Sequence, residues 1–168
     1  GGAARGDQLA VLAGLAHGLL TASEAADDLA QAHAGDDEWD VANLGLMRHA
    51  HIRATAVPAD LVEARARANS ACEKVWREAR RTSDFAAVAP YLVEVVSLVR
   101  QSAEAMAPAL GLSPYDALMD GYQRGIGAAD VTPVFSRYET FLRDALPRAE
   151  ERQARRSPPL ALPGVFPA

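Results

Sequence analysis

Between Pro58 and Pro108, apolar residues recur at the period of a helix and not at the period of a strand. Leu61, Ala68, Cys72, Val75, Trp76 and Ala79 follow one another at offsets of three, four and seven. Leu92, Val95, Val96, Val99, Ala103, Met106, Ala107 and Leu110 form a second stripe. Thr82, Ser83 and Asp84 interrupt the pattern with short polar side chains that compete for backbone hydrogen bonds, as turns and N-caps require. Pro90 suits a position at or near the start of a helix, where its missing N–H costs nothing. The pattern predicts two long helices folded back as an antiparallel hairpin, with the other segments packed around it. Cys72 and Trp76 lie on the first stripe and read as core residues, the cysteine as a buried, inert thiol.

The flanking segments also read as helices. One starts near Asp7 and carries Leu9, Leu12, Leu15 and Leu19; a second starts at the capping-box spacing of Thr21 and Glu24 and runs to about His33. A third spans about Glu38 to Thr55, with Trp39, Leu46, Ala50 and Ala54 near its period. After the hairpin, Ser113 is placed to cap, Pro114 to open a short helix, and Asp116 to sit near the positive end of its dipole. The last helix runs from about Asp130 to Arg155, with Val134, Phe135, Tyr138, Phe141, Leu142 and Leu146 as its stripe, and Pro147 predicted to kink or end it. The fold class is therefore all-α: an antiparallel bundle of about six to seven helices. Residues 1–156 form the helical domain and 157–168 a proline-rich tail.

A chain of 168 residues has room for one core, and no apolar run approaches the roughly 18 residues that span a bilayer. The net charge of −5 argues against nucleic acid as the partner, and neither a membrane nor a signal peptide is expected. With one cysteine there can be no disulfide framework, which suits a cytoplasmic setting.

The chemistry-bearing residues are sparse. The histidines, His17, His33, His49 and His51, include no H-E-x-x-H pair that would place two metal ligands one turn apart. His49 and His51 are two apart, on different helix faces, and read as solvated; His17 reads as half-buried. Ser23, Ser83 and Ser113 sit where caps are needed, and no G-x-S-x-G or phosphate loop is present. Arg77, Arg80 and Arg81 favour a helix C-terminus. No catalytic or metal-binding residue is assigned. The segment that stands out runs from Tyr115 to Gly125: Asp116 and Asp120 share a helix face, and Tyr115 and Tyr122 flank them. These four are the candidate groove-lining residues.

That segment, Tyr-Asp-Ala-Leu-x-Asp-x-Tyr-x-x-Gly, resembles one in the carboxypeptidase Taq family of metallocarboxypeptidases. Similar stretches occur in order elsewhere: Gly1 to Ala10, Arg53 to Pro58, Ala71 to Arg80, Asp84-Phe85 leading to Pro90-Tyr91-Leu92, and Pro163 to Pro167. The resemblance implies a helical cytoplasmic enzyme, often a homodimer, that removes C-terminal residues from peptides with zinc or cobalt. The family's H-E-x-x-H helix is not in this sequence, and Gln123-Arg124 replace a usual Glu-Pro. The resemblance thus implies an N-terminal portion or truncated relative. Alone it is expected to be inactive, to bind peptide substrate only with its catalytic half, and to self-associate through apolar surface around Leu160 to Phe166. The alternative is a non-enzymatic, partner-binding module on the same scaffold. A third reading, a small-ligand-binding bundle, rests on the low aromatic content of 6%.

Overall fold

The computed structural model describes residues 2–157 and Gly164, and every regular element among them is an α-helix. In chain order these are α1 (Gly2–Leu20), α2 (Ser23–Gln31), α3 (Glu38–Ala56), α4 (Ala59–Thr82), α5 (Phe85–Leu110), α6 (Pro114–Met119) and α7 (Ala128–Ala154). The chain forms two compact units, one up to Gly125 and one from Ile126 onward.

In the first unit, α4 and α5 form the predicted hairpin. Ser83 ends α4 in the left-handed region at φ 56°, and the Asp84 amide returns to the Ala79 carbonyl at 2.9 Å. Asp84 then caps α5, its carboxylate accepting the Ala87 amide at 3.1 Å. Ser83 is therefore the C-cap of α4, through its backbone. Val57, Met106, Ala107 and Ala117 pack at the open end of the hairpin, and Cys72, Ala79 and Val88 near its turn.

Helix α1 lies against α4 through small residues four apart. A Cβ on Gly6 would sit 3.3 Å from Ser70 Oγ, one on Gly14 would meet Glu63 Oε1 at 2.9 Å, and Ala10 between them is fully buried. The close approach leaves the leucines of α1 on its outer side, where Leu9, Leu12, Leu15 and Leu19 are exposed.

Several expectations are corrected. Helix α1 begins before Asp7, and α7 begins at Ala128 rather than Asp130. The Thr21–Glu24 capping box does not form: Thr21 Oγ1 donates to the His17 carbonyl, and Ser23 is already inside α2. Pro90 is the sixth residue of α5, and Pro147 neither starts nor ends a helix, since α7 continues to Ala154. One missing donor in a long ladder does not outweigh the bonds on either side. Trp76 is 45% exposed, with the Arg80 guanidinium 5.3 Å above its ring. Cys72, Ala79 and Val88 fill the space between α4 and α5 near the turn, with Val75 and Val95 packed against them. Leu92 and Val96 likewise leave the core and join Phe85 and Val93 on an open apolar face of α5.

In the second unit, Asp130 reaches back to accept the Gly127 amide at 2.9 Å and starts α7. Val134, Phe135, Tyr138, Phe141, Leu142 and Leu146 are all exposed. The expected apolar surface of Leu160 to Phe166 lies outside the described residues. No single described helix is long and apolar enough to cross a membrane.

Candidate functional site: the groove between α3 and α6

Helix α3 buries none of its residues, although apolar residues recur along it. Ala56 at its end packs on the core cluster, and the polar side chains of α3 supply the other ties. Asp37 caps it by accepting the Trp39 amide at 2.7 Å. Arg48 donates to the carbonyls of Leu29, at 3.0 and 3.1 Å, and Ala32, at 2.7 Å, at the C-terminal end of α2. His51 Nδ1 lies 2.8 Å from the Leu20 carbonyl at the end of α1. Orphan carbonyls at two helix ends are thus satisfied from one neighbouring helix, and a cation suits the negative end of a dipole.

The adjoining face of α3 reads α6 and the loop after it. Gly45, His49 and Arg53 are spaced by four, so they stack along one line of the helix. The Gly45 carbonyl accepts from Arg124 at 3.3 Å. His49 Nε2 meets Asp120 Oδ2 at 2.6 Å, and Arg53 Nη1 donates to the same oxygen at 2.8 Å and to the Ala117 carbonyl at 2.9 Å. An ionised carboxylate only accepts, so the proton in the shorter contact is on His49 Nε2. Helix α6 ends at Met119 with Asp120 as its C-cap, and Arg53 passes over the next residue, Gly121, where a Cβ would meet Arg53 Nη2 at 2.8 Å.

The Asp120 side chain is 6% exposed. Burial pushes its carboxyl upward, but the His49 hydrogen bond and charge, the Gly125 amide and the Arg53 hydrogen bond together hold it below the usual carboxylate range. Beside this cluster lies an open cavity of about 600 Å³, lined in part by His17, Leu46, Arg53, Arg65, Tyr122 and Arg124.

The four candidate residues are placed differently. Asp120 and Tyr122 line the cavity, Tyr122 being 95% exposed. Asp116 is at the start of α6, where Ser113 Oγ donates to its carboxylate at 2.7 Å and accepts its amide at 3.1 Å. Tyr115 is 66% exposed, and neither it nor Asp116 lines the cavity. Sharing a helix face did not bring the two acids to one site. His49 and His51 are not simply solvated, since each is bonded to a neighbouring helix. The spacing of His49 and Arg53 on one face could have pointed to the cluster; Arg65 carries no such signal.

The donors at this site do not fit a catalytic metal. No group of three His, Cys, Asp or Glu side chains able to hold an ion occurs among the described residues. Two donors do meet at His49 and Asp120, but the Arg53 guanidinium occupies the same carboxylate oxygen and would repel a cation.

A family model described as carboxypeptidase Taq (M32) metallopeptidase matches residues 1–167. Thermostable carboxypeptidase 1 of Thermus thermophilus is 35% identical over 156 residues, 86% of this chain and 31% of that protein. Its namesake in Pyrococcus furiosus is 32% identical over 108 residues, 64% of this chain and 21% of that protein. Among solved structures, the apo-Mg form of Pyrococcus furiosus carboxypeptidase superposes with a TM-score of 0.70 at 28% identity, covering 82% of this chain and 28% of that one. Trypanosoma cruzi metallocarboxypeptidase 1 gives 0.71 at 28% identity, covering 90% and 31%.

Proposed function

The chain belongs to the carboxypeptidase Taq (M32) metallopeptidase family, and from that premise we propose that it forms the N-terminal helical part of a metal-dependent carboxypeptidase and walls its peptide groove. The observation that carries this reading is the family match across nearly the whole chain, although the chain spans only 31% of the Thermus relative. The activity assigned is release of C-terminal residues from peptides. Zinc or cobalt, held by an H-E-x-x-H helix that is not among these 168 residues, would supply the Lewis acid. The chain's own part is structural: α3 fixes α6 and its loop, and the cavity beside them stays open along one side.

A cytoplasmic setting and self-association belong to the same proposal. In support, the chain has a single cysteine, Cys72, which is buried and free, and it presents open apolar faces on α5 and α7. Light scattering on the purified chain tests the association, and a monomer at all concentrations would count against it.

The test of function is a carboxypeptidase assay on residues 1–168 with zinc or cobalt added, beside a chelated control. The expected result is no release. Metal-dependent release that follows the chain through purification would overturn the assignment of chemistry to another segment. Removing the corresponding helices from a family enzyme should abolish its activity, and full activity without them would overturn the groove-wall role.

A further inference from the structure

We propose that two adjoining recesses between α1, α4 and α5 bind a phosphate monoester, with Lys74 and Arg5 taking the phosphate and Tyr91 covering its apolar body. The first observation is a cation left over from a paired row. Arg67, Ser70, Lys74, Arg77 and Arg81 are three or four apart and share one face of α4. Each arginine in the row meets a carboxylate one turn back along the helix: Arg67 with Glu63, Arg77 with Glu73 and Arg81 with Glu78. One turn back from Lys74 stands Ser70 instead. Lys74, the only lysine of the chain, is exposed and has no ion pair or hydrogen bond among the described residues.

The second observation is convergence. A recess of about 160 Å³ is lined by Arg5 from α1 and by Ser70, Glu73, Lys74 and Arg77 from α4. Glu73 is engaged by Arg77, which leaves Arg5 and Lys74 to face an anion. The Ser70 hydroxyl makes no hydrogen bond among the described residues, and Gly6 keeps α1 clear of it, since a Cβ there would sit 3.3 Å from the oxygen. Donors that reach one space from two helices suit the three oxygens of a phosphate better than the planar pair of a carboxylate. The lysine ammonium binds phosphate as a point charge.

The third observation is the neighbouring wall. A second recess, of about 330 Å³, shares Ser70 and Lys74 and adds Ala71, Val75 and Tyr91. Its remaining charges, Asp7 and Arg67, lie 3.7 Å apart and answer each other. Inorganic phosphate would leave the apolar wall wet, whereas a ring carried by the phosphate would cover it and lie against Tyr91. The inference needs only these recesses and goes beyond the carboxypeptidase reading, so either can fail without the other.

The experiment is calorimetric titration of the full chain with phenyl phosphate, inorganic phosphate and phenol. Phenyl phosphate should bind saturably, and the other two about tenfold or more weakly. Lys74→Gln should weaken phenyl phosphate by about tenfold, and Lys74→Arg should restore most of the loss. Tyr91→Ala should weaken phenyl phosphate and leave inorganic phosphate unchanged. Arg80→Gln removes a cation that lies over Trp76 and outside both recesses, and should change neither. If Lys74→Gln does not fold, Arg5→Gln carries the same test on α1 and should also weaken phenyl phosphate. No saturation by about 10 mM, inorganic phosphate or phenol as tight as phenyl phosphate, or equal losses from the Lys74 and Arg80 variants would each overturn the proposal.

Discussion

Helices α3 and α5 both carry apolar residues at the helical period, yet different forces hold them. Helix α5 buries Val88, Ser102, Ala103, Met106 and Ala107, and its place follows from area removed from water. Helix α3 buries no residue fully, although Ala56 packs on the Val57–Met106 cluster; Trp39, Leu46, Met47 and Ile52 are exposed, while Arg48, His49, His51 and Arg53 tie it to α1, α2 and α6. Periodicity therefore identifies a helix without identifying what retains it. A burial-held helix tolerates acid and salt. One held by charged hydrogen bonds depends on protonation and on each partner being present.

The largest effect should come from the apolar side of this contrast. Met106 is 5% exposed in the cluster with Val57, Ala107 and Ala117. Met106→Ala should cost about 3 kcal/mol in urea unfolding, and a loss under about 1 kcal/mol would mean that α5 is not held by burial.

Asp120→Ala should cost somewhat less, about 2 kcal/mol, because it strands Arg53 and His49. A fully buried pair loses more, but the Arg53 side chain is 20% exposed and water can reach it. A change indistinguishable from zero would show that α3 is placed by something other than this cluster.

Acid should separate the two helices further. The folded Asp120 carboxyl lies below its usual value, so the unfolded chain takes up a proton first as pH falls. Its contribution is complete above the unfolded value near about 4 and disappears as pH drops through the lower folded value. The gap in urea midpoint between the parent and Asp120→Asn should therefore be present near neutral pH and close in acid, while the Met106→Ala gap persists. A gap that widens in acid would contradict the sign.

The smallest effect should come from Arg48→Ala. It removes donors from the Leu29 and Ala32 carbonyls at an exposed helix end, worth about 0.5–1 kcal/mol. Amide exchange should quicken in α2 with little change in α5. Equal quickening in both would mean that α2 and α5 open together.

The sequence by itself determined the helices and their order. Local spacing sets the helical stripes, and the Ser113–Pro114–Asp116 start needs only neighbours in the chain. It also carried the family, because short motifs keep their order without any contact being known. Tertiary structure alone decided which faces were covered. Trp76 lies on the stripe of Cys72 yet stays at the surface, because Cys72, Ala79 and Val88, with Val75 and Val95, make the contact between α4 and α5 there. The fate of each acid in the Tyr115–Gly125 segment was equally non-local. Asp116 and Asp120 have the same charge and the same helix face, but Ser113 bonds Asp116 at the start of α6, whereas Asp120 meets side chains from 67 and 71 residues earlier in the chain. No spacing within the segment encodes that meeting, because it depends on where α3 lies once Gly121 has left room for Arg53.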